Sequence, residues 1–207
     1  MTIIEAITLG IIQGLTEFLP ISSSGHLVLS QVILGIQIPG NDFEVLLHIG
    51  TLCSIIVVFN NDIKNILFTL SSRKTQKFIL MIFVGTIPAV IVGLGFKDVI
   101  ERLFDDVIVV GLALVFTGIT LIASFYFKSG NKKNTIIKAC LIGIAQAIAI
   151  IPGISRSGIT ISFALFLGLD ARQAAKFSFL LAIPVISGAG ILITTDLRDG
   201  FSIDIYM

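Results

Sequence analysis

The sequence predicts an all-α polytopic membrane protein with an inverted-topology repeat, each half a re-entrant broken helical hairpin followed by a transmembrane span. Three observations carry this prediction. The mean hydropathy is +1.04, with only 13% of residues charged, far outside soluble globular usage. Charge-free stretches reach membrane-spanning length. A polar, helix-breaking segment near the N-terminus recurs, with identities, 133 positions later. Residues 1–207 read as a single integral membrane domain, with repeat one about 3–59 and repeat two about 139–195, linked by spans 78–96 and 107–127.

The first apolar run starts without Lys or Arg ahead of it and carries Glu5, so it lacks the positive n-region of a cleavable signal peptide, and residue 1 is expected in the mature protein. It is interrupted at LPISSSGHL, residues 19–27. Residues 31–42 contain no Lys or Arg, and the span 43–59 is apolar apart from Glu44 and His48. Phe78 to Phe96 and Val107 to Phe127 are free of charge, and each covers the roughly 20 residues a helix needs to cross about 30 Å of hydrocarbon.

Lys and Arg collect in two connections: Lys64, Arg73, Lys74 and Lys77, then Lys128, Lys132, Lys133 and Lys138. The positive-inside rule puts both in the cytoplasm. The mixed-charge connection 97–106 between them is then external, as are residues 31–42 and the N-terminus. Arg172 and Lys176 precede the span 177–195 and fall on the cytoplasmic side with Lys138. The segment 139–169 therefore enters the membrane and returns to its own side, with its break at Pro152 to Gly158 near the middle.

At an offset of 133, Ala6, Gly10, Ile11, Gln13, Ile21, Ser22, Ser24 and Gly25 meet identical residues. Chance would give about one or two such matches in this window. At offset 134, FEVLLHIG (43–50) meets FSFLLAIP (177–184). Charge places the second hairpin on the cytoplasmic side and the first on the external side, so the two units have opposite topology and their breaks meet near the midplane.

Composition also excludes functions. A net charge of +1, with no basic cluster interleaved with aromatics, gives no reason to expect nucleic acid. Cys53 and Cys140 lie in apolar spans and read as small hydrophobes, not as a disulfide or metal pair.

A hairpin break exposes backbone polar groups that must be buried in protein or line a wet cavity. After each break, SSSG or SRSG starts a new helix, whose N-terminal amides and positive dipole end attract anions. Ser24 and Ser157 are the expected caps. Arg156 stands alone in an apolar segment and needs an anionic partner. Its planar fork suits phosphate oxygens, and a structural ion pair with Glu17 or Glu44 is the alternative. Glu17, His26, Glu44, His48 and Arg156 are the ionisable candidates within the membrane. Four of the five lie in the first repeat, opposite Ile150, Ile159, Ser178 and Ala182 of the second. Reactive groups concentrated in one half favour an enzyme over a transporter, and Ser, His and Glu beside an anion cradle fit phosphoryl transfer. Either histidine could instead be a packing residue.

At these residues the sequence resembles the undecaprenyl pyrophosphate phosphatases, also called bacitracin-resistance proteins. The family's first motif, Glu or Gln, three residues, then Glu, is matched by Gln13 and Glu17 in QGLTEFLPISSSGH; the second is matched by PGISRSGIT at 152–160; and FEVLLHIGT is also similar. The resemblance implies hydrolysis of a C55 polyprenyl diphosphate to the monophosphate on the outer face of the plasma membrane, recycling the lipid carrier of cell-wall precursors. It implies that Glu17, Ser23, His26, Ser155, Arg156 and Thr160 form the catalytic and phosphate-binding set, with Gln13 in the place of the first Glu. It also implies help from a divalent cation, Mg²⁺ or Ca²⁺, for which the sequence shows no dedicated cage.

Combining pattern and resemblance, we assign Glu17, Ser23, His26 and Arg156 as catalytic, and Gln13, Ser22, Ser155, Ser157, Thr160, Glu44 and His48 as substrate-binding. Ser23 attacks, with Glu17 or His26 as base, or an activated water attacks in its place. The family continues with about two more helices after the span matching 177–195, a departure that bears on homodimer packing and the wall around the lipid tail. The lipid phosphatases with a Ser-Gly-His motif fit SSGH (23–26) but need a later His, and here none follows residue 48. The rival from another class is a polyprenyl-phosphate flippase or other transporter of an anionic lipid, since inverted broken hairpins are transporter architecture.

Overall fold

The computed structural model describes residues 2–36, 42–127, 130 and 132–204. The described chain is helical throughout. Helices α1 (Ile3–Thr16) and α2 (Ser23–Leu34) form the first broken hairpin. Next come α3 (Asp42–Val58), α4 (Asn60–Phe68), α5 (Arg73–Gly95), α6 (Lys97–Asp105) and α7 (Val107–Phe125). The second broken hairpin is α8 (Ile136–Ile148) and α9 (Arg156–Phe166), and α10 (Ala171–Asp204) follows. Among the described residues, three helices are long and apolar enough to cross a membrane: α5, α7 and the Ala171–Leu192 part of α10. The pair Phe43–Val58 and Asn60–Phe68, bent by 68°, is a fourth if the two are counted as one span. The hairpin helices are too short to span, consistent with breaks lying inside the protein.

Apolarity points outward as well as inward. Ile3, Ile33, Ile108 and Phe125 are 76 to 86% exposed, which suits a lipid-facing surface and would be costly in water. The interior mixes large apolar side chains such as Leu27, Ile55 and Ile142 with small and polar ones, among them Thr117, Gln146 and Ser178; the small and polar residues allow close backbone approach and hydrogen bonding between helices. Helices α5 and α8 approach closely. A Cβ added at Gly143 would lie 2.4 Å from the carbonyl oxygen of Gly85. Gln146, one turn further along α8, donates Nε2–H to that same carbonyl at 3.3 Å. Pro88 sits inside α5 and removes one intrahelical bond near this contact.

The connection 97–106, read from sequence only for its charge, contains helix α6. It is amphipathic: Ile100 is 8% exposed, and Phe104 follows it one turn on, while Asp98, Glu101, Arg102 and Asp105 occupy the other positions. The i, i+4 pair of apolar residues was the available signal. On the opposite flank, Lys176 of α10 forms an ion pair with Asp62 of α4.

Helix α7 braces both breaks. Gly153, at φ +92, has space for a side chain only by collision, since a Cβ there would lie 2.4 Å from the carbonyl oxygen of Val110. A Cβ on Gly25 would lie 2.8 Å from Leu114 Cδ2 and 3.0 Å from Gly153 Cα. Glycine at both positions is therefore a requirement of packing, and at Gly153 of backbone conformation too. Thr117 Oγ1 of α7 donates to the Gly153 carbonyl at 2.9 Å and accepts from Ser155 N–H at 3.0 Å. One buried hydroxyl thus satisfies two backbone groups that the break leaves outside any helical ladder.

Candidate active site

The two breaks touch. Gly153 N–H reaches Ser24 Oγ at 3.4 Å, and a Cβ on Gly158 would lie 2.9 Å from the Pro20 carbonyl oxygen. Each break ends in the same cap at equivalent positions of the 133-residue offset. Ser22 Oγ accepts from Gly25 N–H at 3.3 Å, and Ser155 Oγ accepts from Gly158 N–H at 3.0 Å. The caps are therefore Ser22 and Ser155, which corrects the expectation of Ser24 and Ser157. An N-cap hydroxyl reaches the amide three residues on, and in SSSG and SRSG only the first serine has glycine at that distance. Ser24 and Ser157 sit inside the first turns, within 3.2 and 3.3 Å of the capping hydroxyls.

Between the breaks lies a cavity of about 200 Å³, several times what a water occupies. Its polar end is formed by Glu17, His48, Arg156 and the serines 22–24, 155 and 157. Its other walls are apolar, with Val45, Ala89, Phe104, Ile150, Val185 and Ile186 among them. Glu17 is the hub. It caps the C-terminus of α1 and is 6% exposed. Its Oε1 accepts from Arg156 Nη2 at 2.5 Å, across 139 residues of sequence. Its Oε2 accepts from Ser23 Oγ at 2.5 Å and from Gln13 Nε2 at 3.2 Å, and lies 3.2 Å from His48 Nε2. Of the two carboxylates considered for Arg156, the partner is Glu17. Arg156 Nη1 is buried and, among the described residues, has no hydrogen-bond partner. A buried donor of this kind needs an acceptor.

The sequence-predicted residues separate into two groups here. Glu17, Ser23, Arg156 and Gln13 come together. His48, expected to bind substrate, contacts Glu17 directly. His26, expected to be catalytic, is not among the residues lining the cavity; its Nδ1 is 2.7 Å from the Ser22 carbonyl oxygen. Thr160 also stands away from the lining. It is 0% exposed, and its hydroxyl is engaged by the Arg156 carbonyl at 2.7 Å and Ser178 Oγ at 2.6 Å. That arrangement ties α9 to α10. Glu44 is 2% exposed and held by Gln31 Nε2 at 2.7 Å, while its Oε2 has no described partner. Thr117, Gln31, Gln146 and Ser178 were not singled out by the sequence reading. Gln146 is a lone polar residue in an apolar run, which is the signal that could have found it; Gln31 beside Ser30, Thr117 three before Thr120, and Ser178 two after Lys176 carry no such mark.

Among the described residues, no group of three or more His, Cys, Asp or Glu is placed to hold a metal ion. Glu17, the carboxylate at the cavity, has both oxygens engaged by donors. The donor set is an arginine, hydroxyls and two helix N-termini, which suits an anion and does not make a cation cage.

A family profile described as bacitracin resistance protein BacA matches residues 6–205. The undecaprenyl-diphosphatase of Carboxydothermus hydrogenoformans is 46% identical over 195 residues, covering 93% of this chain and 73% of that protein. The undecaprenyl-diphosphatase of Halothermothrix orenii is 45% identical over 206 residues, covering 98% and 77%. That of Methanosphaera stadtmanae is 43% identical over 218 residues, covering 95% and 79%. With a match over nearly its whole length and relatives at this identity, the chain belongs to the bacitracin-resistance protein BacA family.

Proposed function

We propose that this protein is a membrane phosphatase that hydrolyses undecaprenyl diphosphate to undecaprenyl monophosphate and inorganic phosphate. The single observation that carries the reading is the Ser23–Glu17–Arg156 chain. A hydroxyl is hydrogen-bonded to a buried carboxylate, and that carboxylate to an arginine from the other hairpin, at the wall of an apolar cavity. The family and the names of the relatives agree with it.

In the proposed reaction the terminal phosphate enters between the two helix N-termini. Arg156 Nη1, the hydroxyls of Ser24 and Ser157, and the amides of the first turns before the helical ladders begin receive its oxygens. Ser155 and Ser22 act through their caps, holding those turns. The Ser23 hydroxyl loses its proton to Glu17 as its oxygen bonds to the terminal phosphorus. The bond from phosphorus to the bridging oxygen breaks, and polyprenyl monophosphate leaves. Water then attacks the phosphoserine phosphorus, the bond to Ser23 Oγ breaks, inorganic phosphate leaves with both protons of the water, and Ser23 Oγ takes back the proton held by Glu17. A water activated by Glu17 in place of Ser23 gives the same products. The charge spread over the phosphoryl oxygens is met by fixed donors, which is where such reactions gain most of their acceleration. A divalent cation such as Mg²⁺ or Ca²⁺ would have to bring much of its coordination from the diphosphate.

We also propose that the two hairpins are the halves of an inverted repeat, with the cavity opening to the external face of the plasma membrane. The matching caps at Ser22 and Ser155 and the recurrence of α1–α2–α3 as α8–α9–α10 support this reading.

The test is phosphate release from polyprenyl diphosphate by the purified protein in detergent, where no second compartment exists. Turnover supports an enzyme, and a protein that only moves the lipid across a bilayer would release nothing. Ser23→Ala should lower release by at least 10³-fold, and acid-quenched wild type should carry phosphate on Ser23. Full activity in Ser23→Ala would assign the attack to water.

A further inference from the structure

We propose that His48 is a positioning residue for Glu17, holding its carboxylate toward Ser23 after substrate has drawn Arg156 away. This rests on the phosphatase reading of the same site. His48 lies on α3, one turn after Glu44, and its Nδ1 is 2.6 Å from the Glu44 carbonyl oxygen. A carbonyl oxygen only accepts, so Nδ1 is the donor and the ring plane is fixed by its own helix. Nε2 is aimed into the cavity, 3.2 Å from Glu17 Oε2; a carboxylate oxygen also only accepts, so Nε2 too carries a proton and the ring ties Glu17 as an imidazolium.

The carboxylate needs such a tie. Glu17 stands at the end of α1, with Gln13 of the preceding turn beside its side chain, and its backbone N–H is committed to the Gln13 carbonyl. Arg156 holds its Oε1 at 2.5 Å. A diphosphate competes for that guanidinium, because its oxygens offer the same forked match with more negative charge. As Arg156 turns to substrate, Oε1 loses its anchor. What remains is the set on Oε2: Ser23, whose hydroxyl is the reacting group, Gln13 at 3.2 Å, and His48 at 3.2 Å. Of these, His48 is the one whose orientation is locked by a second hydrogen bond on the far side of the ring. A hydrogen bond that orients a catalytic base acts on the rate and not on the affinity for substrate.

Three substitutions separate this role from substrate binding or packing. Glutamine places an amide N–H near the position of Nε2, asparagine places it near Nδ1, and leucine keeps bulk without a donor. Phosphate release is measured for His48→Gln, His48→Asn and His48→Leu beside wild type, with thermal unfolding of each. We expect His48→Leu and His48→Asn to lose about 10²-fold in kcat with KM within about twofold, and His48→Gln to stay within about fivefold of wild type. The Gln and Asn variants are both polar and similar in size, so the contrast stands even if the leucine variant folds poorly. Equal activity in Gln and Asn, or a loss expressed in KM, overturns the proposal. A wild type that releases no phosphate overturns the phosphatase reading itself, and with it this role.

Discussion

Replacing Thr117 by valine tests whether α7 holds the second break in shape. The two side chains are nearly isosteric, so the change removes one hydroxyl and little else. That hydroxyl is 2% exposed as part of Thr117, donates to the Gly153 carbonyl and accepts from Ser155 N–H. Two backbone groups lose their partner at once. Hydrogen bonds inside membrane proteins average about 0.6 kcal/mol each, which gives a floor of about 1.2 kcal/mol. An orphaned buried group costs about 1–3 kcal/mol, which gives a ceiling of about 6 kcal/mol for two. The break is sealed and non-helical, so neither group can find a substitute by fraying into a helix. We therefore expect about 2–4 kcal/mol, a 30- to 700-fold change in the unfolding equilibrium. Unfolding in rising SDS mole fraction, followed by circular dichroism, reads the stability. Phosphate release reads the site, because Ser155 caps the helix that begins with Arg156. Thr117→Ser should restore both. A Thr117→Val protein that unfolds with wild type would refute the claim that this hydroxyl satisfies the break.

Arg156→Lys keeps the charge beside Glu17 but loses the second nitrogen that now lacks a partner, and it should lower kcat/KM by about 10²–10³-fold in the release assay; near-wild-type activity would show that charge alone suffices. Gly143→Ala drives a methyl to within 2.4 Å of the Gly85 carbonyl oxygen and should destabilise the protein by about 1–3 kcal/mol in SDS unfolding. Gly10→Ala, at the equivalent position of the first half, meets nothing nearer than Leu47 at 3.9 Å and should be neutral or slightly stabilising through helix propensity.

The sequence was most informative where the membrane makes exceptions expensive. An arginine, a carboxylate and two serine-glycine breaks inside apolar runs need reasons to be there, and those reasons point to one another. Thus the meeting of the two breaks and the pairing of Arg156 with one of two glutamates could be read from residue types and charge alternation alone. Details requiring three-dimensional direction were not legible in the same way. Both histidines lie within polar-interrupted segments and present similar chemistry. Which of them faces the cavity depends on the rotation of α2 and α3, and no periodicity of a short apolar helix sets that. Thr160 follows a motif and invites a phosphate role, yet the α9 turn carries its hydroxyl toward Ser178. Thr117 belongs to no motif, and its importance comes from a backbone break 36 residues away in sequence.

The two halves differ most informatively just before the candidate nucleophile. Ser22 and Ser155 make the same cap, but Ser155 does so at φ −69 and Ser22 at φ 69. A serine in that left-handed region is strained by about 1–3 kcal/mol and persists only where its surroundings hold it. Here the Ser22 carbonyl oxygen is bonded by His26 N–H at 3.2 Å and faces His26 Nδ1 at 2.7 Å. The second half has Ile159 at that position and no strain to hold. The strained turn directly precedes Ser23, whose hydroxyl is thereby set against Glu17. This geometry favours His26 as a support for the turn over the acid–base role expected from sequence. An asparagine amide can occupy the place of Nδ1, whereas glutamine and leucine cannot. His26→Asn should therefore retain at least tenfold more phosphate release than His26→Leu, with His26→Gln resembling leucine, the reverse of the order expected at His48. Equal loss in all three would return His26 to a role that requires the imidazole itself.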